Sequence, residues 1–340
     1  MSTSIYRHED GRAPNTLVLA YVLLGYAGSL ALLIWGQALA LLAGGLVLAH
    51  VLITSAYLLH EFAHQSIFRS AAANQRWGVV MTWLTGSCYA RFADLRHKHM
   101  RHHVDRADVI TFDSKAFLQR APAWLRNSVL ALEWAYVPAV ELIMHGYVIV
   151  QPFLVRARAD QRLRVAAILA VRSAGFTLLG WFSPWGLLVY ALAYGVMLTV
   201  LRFADAYQHT YDAYAVLEQA APIPADKLRD RDYEQTNTYS NLVSVAHPAL
   251  NLLLLNFSYH NAHHERPIEP WYRLPVLHAR LYPAAQGEHL QTLPMSLCLR
   301  SFHQHRVTRV LSDDYGVYGA GPTRADAFYG AVGVSFLTAV

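Results

Sequence analysis

Eight histidines stand in three short clusters: His60-Glu61-Phe62-Ala63-His64, His99-Met100-Arg101-His102-His103 and His260-Asn261-Ala262-His263-His264. Residues three and four apart lie on one face of an α-helix, so each cluster aims two or three imidazoles in a common direction. Neutral imidazole binds zinc, copper, iron or nickel. Eight such ligands exceed what one ion takes, and two ions in a shared imidazole-rich cage is the economical reading. The two cysteines, Cys88 and Cys298, lie far apart, which suggests neither a thiolate site nor a disulfide framework.

The first cluster also reads HExxH, the motif in which glutamate acts as general base beside two zinc-bound histidines. A membrane zinc protease would leave the other two clusters unexplained, and no third zinc-ligand motif stands out. Glu61 then reads as a carboxylate that accepts the second ring N–H of a ligand histidine. Asp105, Asp108, Asp205 and Asn261 are candidates for the same task, against the alternative of solvated polar residues near a membrane surface. Outside the clusters, His50 lies ten residues before His60, about 15 Å along a helix. Ionisable groups within apolar spans line pathways or pair with one another, so His50 and Arg172 are expected to border a substrate path, with Arg172 either contacting a substrate carboxylate or pairing inside the helix bundle.

The elements that must carry these residues follow from composition. Only 15% of the 340 residues are charged and 54% are hydrophobic, with a positive mean hydropathy; this is too apolar for an ordinary soluble domain. The first 15 residues are polar and the apolar stretch after them is long enough to span, so no cleavable signal peptide is expected. About 20 apolar residues cross the hydrocarbon layer. Spans are expected over 16–35, 38–59, 163–182 and 185–204, forming two tight hairpins. The hairpin tips lack Lys and Arg, whereas the segment between the hairpins is basic from Arg69 to Arg162. The positive-inside rule therefore puts both termini and the middle segment in the cytoplasm. The formal charge of +5 is membrane flanking in this pattern, and no nucleic-acid surface is implied.

Three further apolar segments, 77–90, 129–155 and 242–257, are too short to span, or carry costly polar groups such as Glu133, Glu141 and His145. They are expected as interfacial or re-entrant helices. That topology gathers all three histidine clusters on one side, whereas a lone crossing by 77–90 or 129–155 would scatter them. The expected architecture is an all-α integral membrane protein: four transmembrane helices in two hairpins, interfacial helices and a cytoplasmic histidine-rich cap. Residues 1–290 form the membrane domain, and 291–340 a soluble, loosely structured cytoplasmic tail.

The pattern HxxxH (His60, His64), HxxHH (His99, His102, His103) and a distant HxxHH (His260, His263, His264), followed by "HHERPIEPWYRLP" (263–275), resembles the membrane fatty acid desaturase and hydroxylase family. The resemblance covers roughly residues 16–285. It implies two iron ions on the box histidines, dioxygen as co-substrate and attack on an unactivated C–H bond of a fatty acid or acyl lipid within the membrane. Such families use at least one ligand outside the boxes, and His209 in "YQHTYD" is the candidate by position. His247, followed by Pro248, reads instead as a helix start or kink, and His97 points away from the His99 face. Desaturation is the first expectation. Fatty acid decarboxylation to a terminal alkene and acyl or alkane hydroxylation are alternatives on the same scaffold. No His-Pro-Gly-Gly haem motif is present, so a separate electron carrier of the ferredoxin, rubredoxin or cytochrome b5 type is implied.

Overall fold

A computed structural model describes residues 4–217, 223–283, 292–312 and 328–339. The chain divides into two compact units, residues 1–92 with 145–198, and residues 93–144 with 199–340. Among the described residues it is mostly helical, with four helices long and apolar enough to cross a membrane: Arg12–Trp35, Ala38–Ala63, Arg156–Phe182 and Pro184–Ala206. These fall on the four expected spans.

In the first unit, α1 (Arg12–Trp35) and α2 (Ala38–Ala63) pack along their length. Gly36 ends α1 with φ 76° and donates its N–H to the Leu32 carbonyl, a left-handed cap that costs glycine nothing. The chain can therefore reverse within two residues. The second half of α2, from Val51 to Ala63, is buried throughout, while Leu17, Leu24, Leu39 and Leu46 stand exposed, as lipid-facing side chains do. Next comes α3 (Ala71–Thr85), 15 residues long and too short to span; its Trp77 stacks on Phe62 and Phe68. A 3₁₀ segment, Arg156–Gln161, leads into α8 (Arg162–Phe182). Only Ser183 separates α8 from α9 (Pro184–Ala206), and Phe176 meets Tyr190 edge-on at 5.2 Å.

The second unit holds most of α4 (Phe92–Asp105), then β1 (Asp108–Ile110), α5 (Ser114–Arg120), α6 (Ala123–Trp134) and the start of α7 (Ala139–Leu154). The expected apolar segment 129–155 is thus two helices, broken where Tyr136 takes φ 63° ahead of Pro138. The end of α9 follows, then β2 (Tyr214–Val216), α10 (Arg231–Thr236), β3 (Ser240–Leu242), α11 (His260–Glu265), α12 (Leu274–Leu281), β4 (Thr292–Pro294) and α13 (Met295–His305). Two parallel ladders, β1–β2 and β3–β4, are three residues long each; among the described residues they are small departures from an all-helical pattern. The segment 242–257 contains a 3₁₀ turn, Pro248–Leu254, with exposed His247 at its N-cap and Pro248 at its first position, as the dipeptide implies.

The C-terminal stretch departs from expectation. Its described residues, 292–312 and 328–339, are packed: Phe302 and Phe328 join Phe203, Tyr207 and Tyr239 in one buried cluster, and β4 pairs with β3. A chain with two buried phenylalanines and a strand partner has the apolar area to hold itself down. The expected boundary at residue 290 lies outside the described residues.

Three buried ionic groups tie this unit together. Arg202 Nη1 donates to Glu133 at 2.5 Å and to Glu141 Oε2 at 2.9 Å, and the Val140 N–H caps Glu133 Oε1 at 3.0 Å. The acidic groups that argued against a spanning segment therefore have a cationic partner on α9, and burial, opposed by Arg202, raises the Glu141 carboxyl above its usual range.

Candidate metal centre

Helix α4 carries His99, His102 and His103, and α11 carries His260, His263 and His264. The i, i+3, i+4 spacing sets both triplets on one face of each helix. His209 follows α9 in extended backbone that bridges antiparallel to Thr238, held by Thr210 N–H to the Asn237 carbonyl and Tyr239 N–H to the Gln208 carbonyl. Asn261 anchors α11: its N–H donates to Ser240 Oγ, its Oδ1 accepts from the same hydroxyl, and its Nδ2 donates to the Thr238 carbonyl.

Four imidazoles converge on one point. His102 Nε2 lies 3.0 Å from His209 Nε2, His260 Nε2 lies 2.9 Å from His209 Nε2, and His264 Nε2 lies 3.1 Å from His260 Nε2. The far nitrogens fix the proton positions. His102 Nδ1 faces the Ala107 carbonyl at 2.9 Å, and His264 Nδ1 faces Glu234 Oε1 at 2.8 Å; both are acceptors, so both nitrogens carry hydrogen. His209 Nδ1 lies 3.3 Å from Thr238 Oγ1, whose own hydrogen goes to the Glu234 carbonyl. In the neutral rings, the Nε2 atoms of His102, His209 and His264 are then bare lone pairs. Two bare lone pairs 3.0 Å apart repel unless a cation lies between them. Imidazole nitrogens bound to one ion at about 2.0–2.1 Å sit roughly 3 Å apart, which is the spacing found.

A second arrangement adjoins the first. His103 Nε2 lies 3.1 Å from His99 Nε2 and 3.2 Å from His263 Nε2, and the His103 ring centre is 4.2 Å from that of His264. Burial first, and neighbouring imidazoles second, push His102 down to about 3 and leave His263, His260 and His209 well below the ordinary histidine range. Burial alone brings His264 to about 3. Metal ligands must be deprotonated, and these rings are neutral at physiological pH. The histidine groups are compatible with metal binding.

In the first unit, His60 and His64 are both buried at the end of α2, with ring centres 4.7 Å apart. Glu61 Oε1 is 3.6 Å from His60 Nδ1, and its other oxygen accepts from Ser66 Oγ at 2.6 Å, so it is a neighbour of the imidazole anchored to the turn. The other sequence candidates have varied surroundings. Asp105 pairs with Arg101 one turn away at 2.9 Å, and exposed His97 shares a surface groove with Val104, Arg106 and Leu228. Asp205 sits half-buried in the last turn of α9. Asp108 Oδ1 is 3.6 Å from His102 Nδ1, and burial pushes its carboxyl up to about 7. His50 Nδ1 meets the Tyr21 hydroxyl at 2.5 Å. Arg172 donates to the Trp83 carbonyl at 2.9 Å and lies over the Phe176 ring, a pairing within the bundle.

Sequence reasoning missed Glu234. It holds His264 and is itself held by Arg106 Nε at 3.2 Å, and together with His103 and His264 it forms a further group able to hold an ion. Burial raises its carboxyl, with Arg106 opposing. Nothing in "RDYEQTN" marks this residue, because a lone glutamate on a polar six-residue helix has no periodic signature.

A family model described as fatty acid desaturase matches residues 35–294, a stretch that holds all three histidine boxes and His209. No curated protein matches the chain.

Proposed function

Because the chain belongs to the fatty acid desaturase family, a family of membrane oxidoreductases acting on fatty acyl substrates, we propose that it is a two-iron, dioxygen-dependent desaturase that places a double bond in an acyl chain. The observation that carries this reading is the convergence of bare Nε2 lone pairs from His102, His209 and His264 beside the His99, His103 and His263 arrangement. His60 and His64 are proposed to complete the second ion's ligands, as the first box of the pattern implies.

Two ferrous ions, when bound, supply the reduction of dioxygen and the removal of hydrogen from an unactivated C–H bond. The protein's own work is positional. Ala107, Thr238 and Glu234 hold three rings by their Nδ1–H groups, so the Nε2 atoms need no reorganisation to receive a cation. Burial of the rings excludes bulk water, and Asn261 fixes the helix that carries the third box. Glu61, Asp108 and Asp205 are proposed as surrounding carboxylates, and Arg172 as a bundle-pairing group. A separate carrier of the ferredoxin, rubredoxin or cytochrome b5 type supplies electrons in this reading. Both termini and the metal centre are assigned to the cytoplasm on the positive-inside rule, which reporter fusions at either end would check.

Two measurements test the proposal. Metal analysis of detergent-purified protein should give near two irons per chain; one zinc per chain would refute it. Gas chromatography with mass spectrometry on cells fed defined fatty acids should then show a new internal double bond, absent with His263→Ala. A volatile terminal alkene one carbon short of the fed acid would assign decarboxylation instead, and an alcohol would assign hydroxylation.

A further inference from the structure

Residues 328–339 have neither helix nor strand and lie beyond the family match, yet most of them are buried. Ser301 Oγ donates to the Phe328 carbonyl at 2.6 Å, and the Ala331 N–H donates to the Ala206 carbonyl at 2.9 Å. Between them Gly330 takes φ 83°, where a Cβ would come within 2.7 Å of Arg309 Nη1 and 2.9 Å of the Tyr207 ring. Only glycine threads that passage. The chain then runs to α4.

At α4 the segment meets the second histidine box. Lys98, the residue before His99, is buried, and its ammonium donates to Thr111 Oγ1 at 3.2 Å, the Ser335 carbonyl at 2.7 Å and the Thr338 carbonyl at 2.9 Å. A lysine has three N–H donors, so two of the three are spent on this segment. Thr111 Oγ1 contacts Thr338 as well, its carbonyl at 2.9 Å and its hydroxyl at 2.7 Å. Between the two carbonyls, Phe336 sets its ring edge-on against His99, with centroids 5.0 Å apart and planes at 71°. An imidazole meets its ion only if its ring plane is held, and ligands are usually held by a hydrogen bond at the far nitrogen. His99 also has an aromatic side chain packed against its ring, and that side chain comes from outside the matched region.

We propose that Phe336 is a positioning residue for His99, and that the Ser335 and Thr338 carbonyls on Lys98 hold Phe336 there. The C-terminal segment thereby sets the affinity of the ion position built from His99, His103 and His263. The four-histidine position draws its outer contacts from Ala107, Thr238 and Glu234 and does not depend on the segment. This rests on the two-ion reading above.

The experiment is release of cobalt(II) from the full-length protein in detergent under chelator challenge, followed by metal analysis and by the cobalt absorption band. Wild type should hold two ions per chain. Phe336→Ala should release one of the two about tenfold faster, the scale on which outer contacts tune metal affinity, while the other leaves at the wild-type rate. Phe336→Leu, which refills much of the space, should restore part of the retention. Lys98→Met should also speed release of that ion, whether or not it lowers the amount of folded protein. Wild-type release rates for both ions in Phe336→Ala, or equal acceleration of both, would overturn the proposal. A wild-type protein that never holds two ions fails before any variant is compared; it overturns the two-ion reading and this inference with it.

Discussion

Glu234 Oε1 accepts the Nδ1–H of His264 at 2.8 Å, and the same carboxylate receives Arg106 Nε on its other oxygen at 3.2 Å. A candidate ligand is thereby connected through one carboxylate to a half-buried arginine. The carboxylate fixes the His264 tautomer and raises the basicity of its Nε2. Glu234→Ala should lower metal affinity by about 10–100-fold, read as iron retained after dialysis against a graded chelator series. Glu234→Gln still accepts the Nδ1–H but without charge, and should fall between the two. Equal retention by all three proteins would remove Glu234 from the centre.

The second prediction separates His209 from the other histidines outside the boxes. His209 Nε2 lies about 3 Å from two other imidazole nitrogens, 3.0 Å from that of His102 and 2.9 Å from that of His260, whereas His97 and His247 are exposed. His209→Ala should abolish turnover and reduce bound iron while the protein still inserts. His97→Ala and His247→Ala should keep both. Full activity in His209→Ala would strike it from the ligand set.

Those contrasts mark what the sequence could and could not say. The box histidines were legible because helical spacing fixes a shared face whatever the tertiary context, and the four spans because twenty apolar residues have few other uses. His209 was legible only by position, since its partner Thr238 arrives through an isolated bridge 29 residues later. Glu133 and Glu141 were legible as costly groups, but their partner Arg202 stands more than 60 positions away and no periodicity links them. Glu234 and residues 328–339 were not legible at all. Glu234 sits on a helix too short to show a period, and the irregular backbone of 328–339 takes its place from tertiary hydrogen bonds, such as Lys98 to Ser335 and Thr338, that leave no repeat in the sequence.

The buried triad gives a stability prediction. Arg202→Met would leave Glu133 and Glu141 buried without their cation, and breaking a buried ion pair from one side costs about 3–5 kcal/mol. The variant should accumulate poorly and lose cooperative thermal unfolding in detergent. The triple change Arg202→Met, Glu133→Gln, Glu141→Gln removes all the charges together and should recover much of the loss. Failure of the triple variant to improve on the single one would mean that the triad does more than neutralise itself.

Asp212 supplies a pH-dependent prediction three residues after His209. Burial would raise its carboxyl, but Arg229 Nη2 at 2.6 Å, Lys227 Nζ at 3.1 Å and the Tyr233 hydroxyl at 2.9 Å donate to it and hold it down at about 2. The ordinary value is 3.8, so the unfolded chain binds the proton more readily than the folded one. The stabilisation is therefore fully present above about pH 4 and is lost as pH falls through about 2. Because the group is partly exposed, solvent screening reduces the contribution to about 1 kcal/mol. Asp212→Asn should lower the thermal midpoint at pH 7 and converge on wild type below pH 2, with both proteins compared free of metal so that ligand protonation does not enter the difference. A gap that stays constant across that window would mean that the Asp212 side chain acts through packing and not through charge.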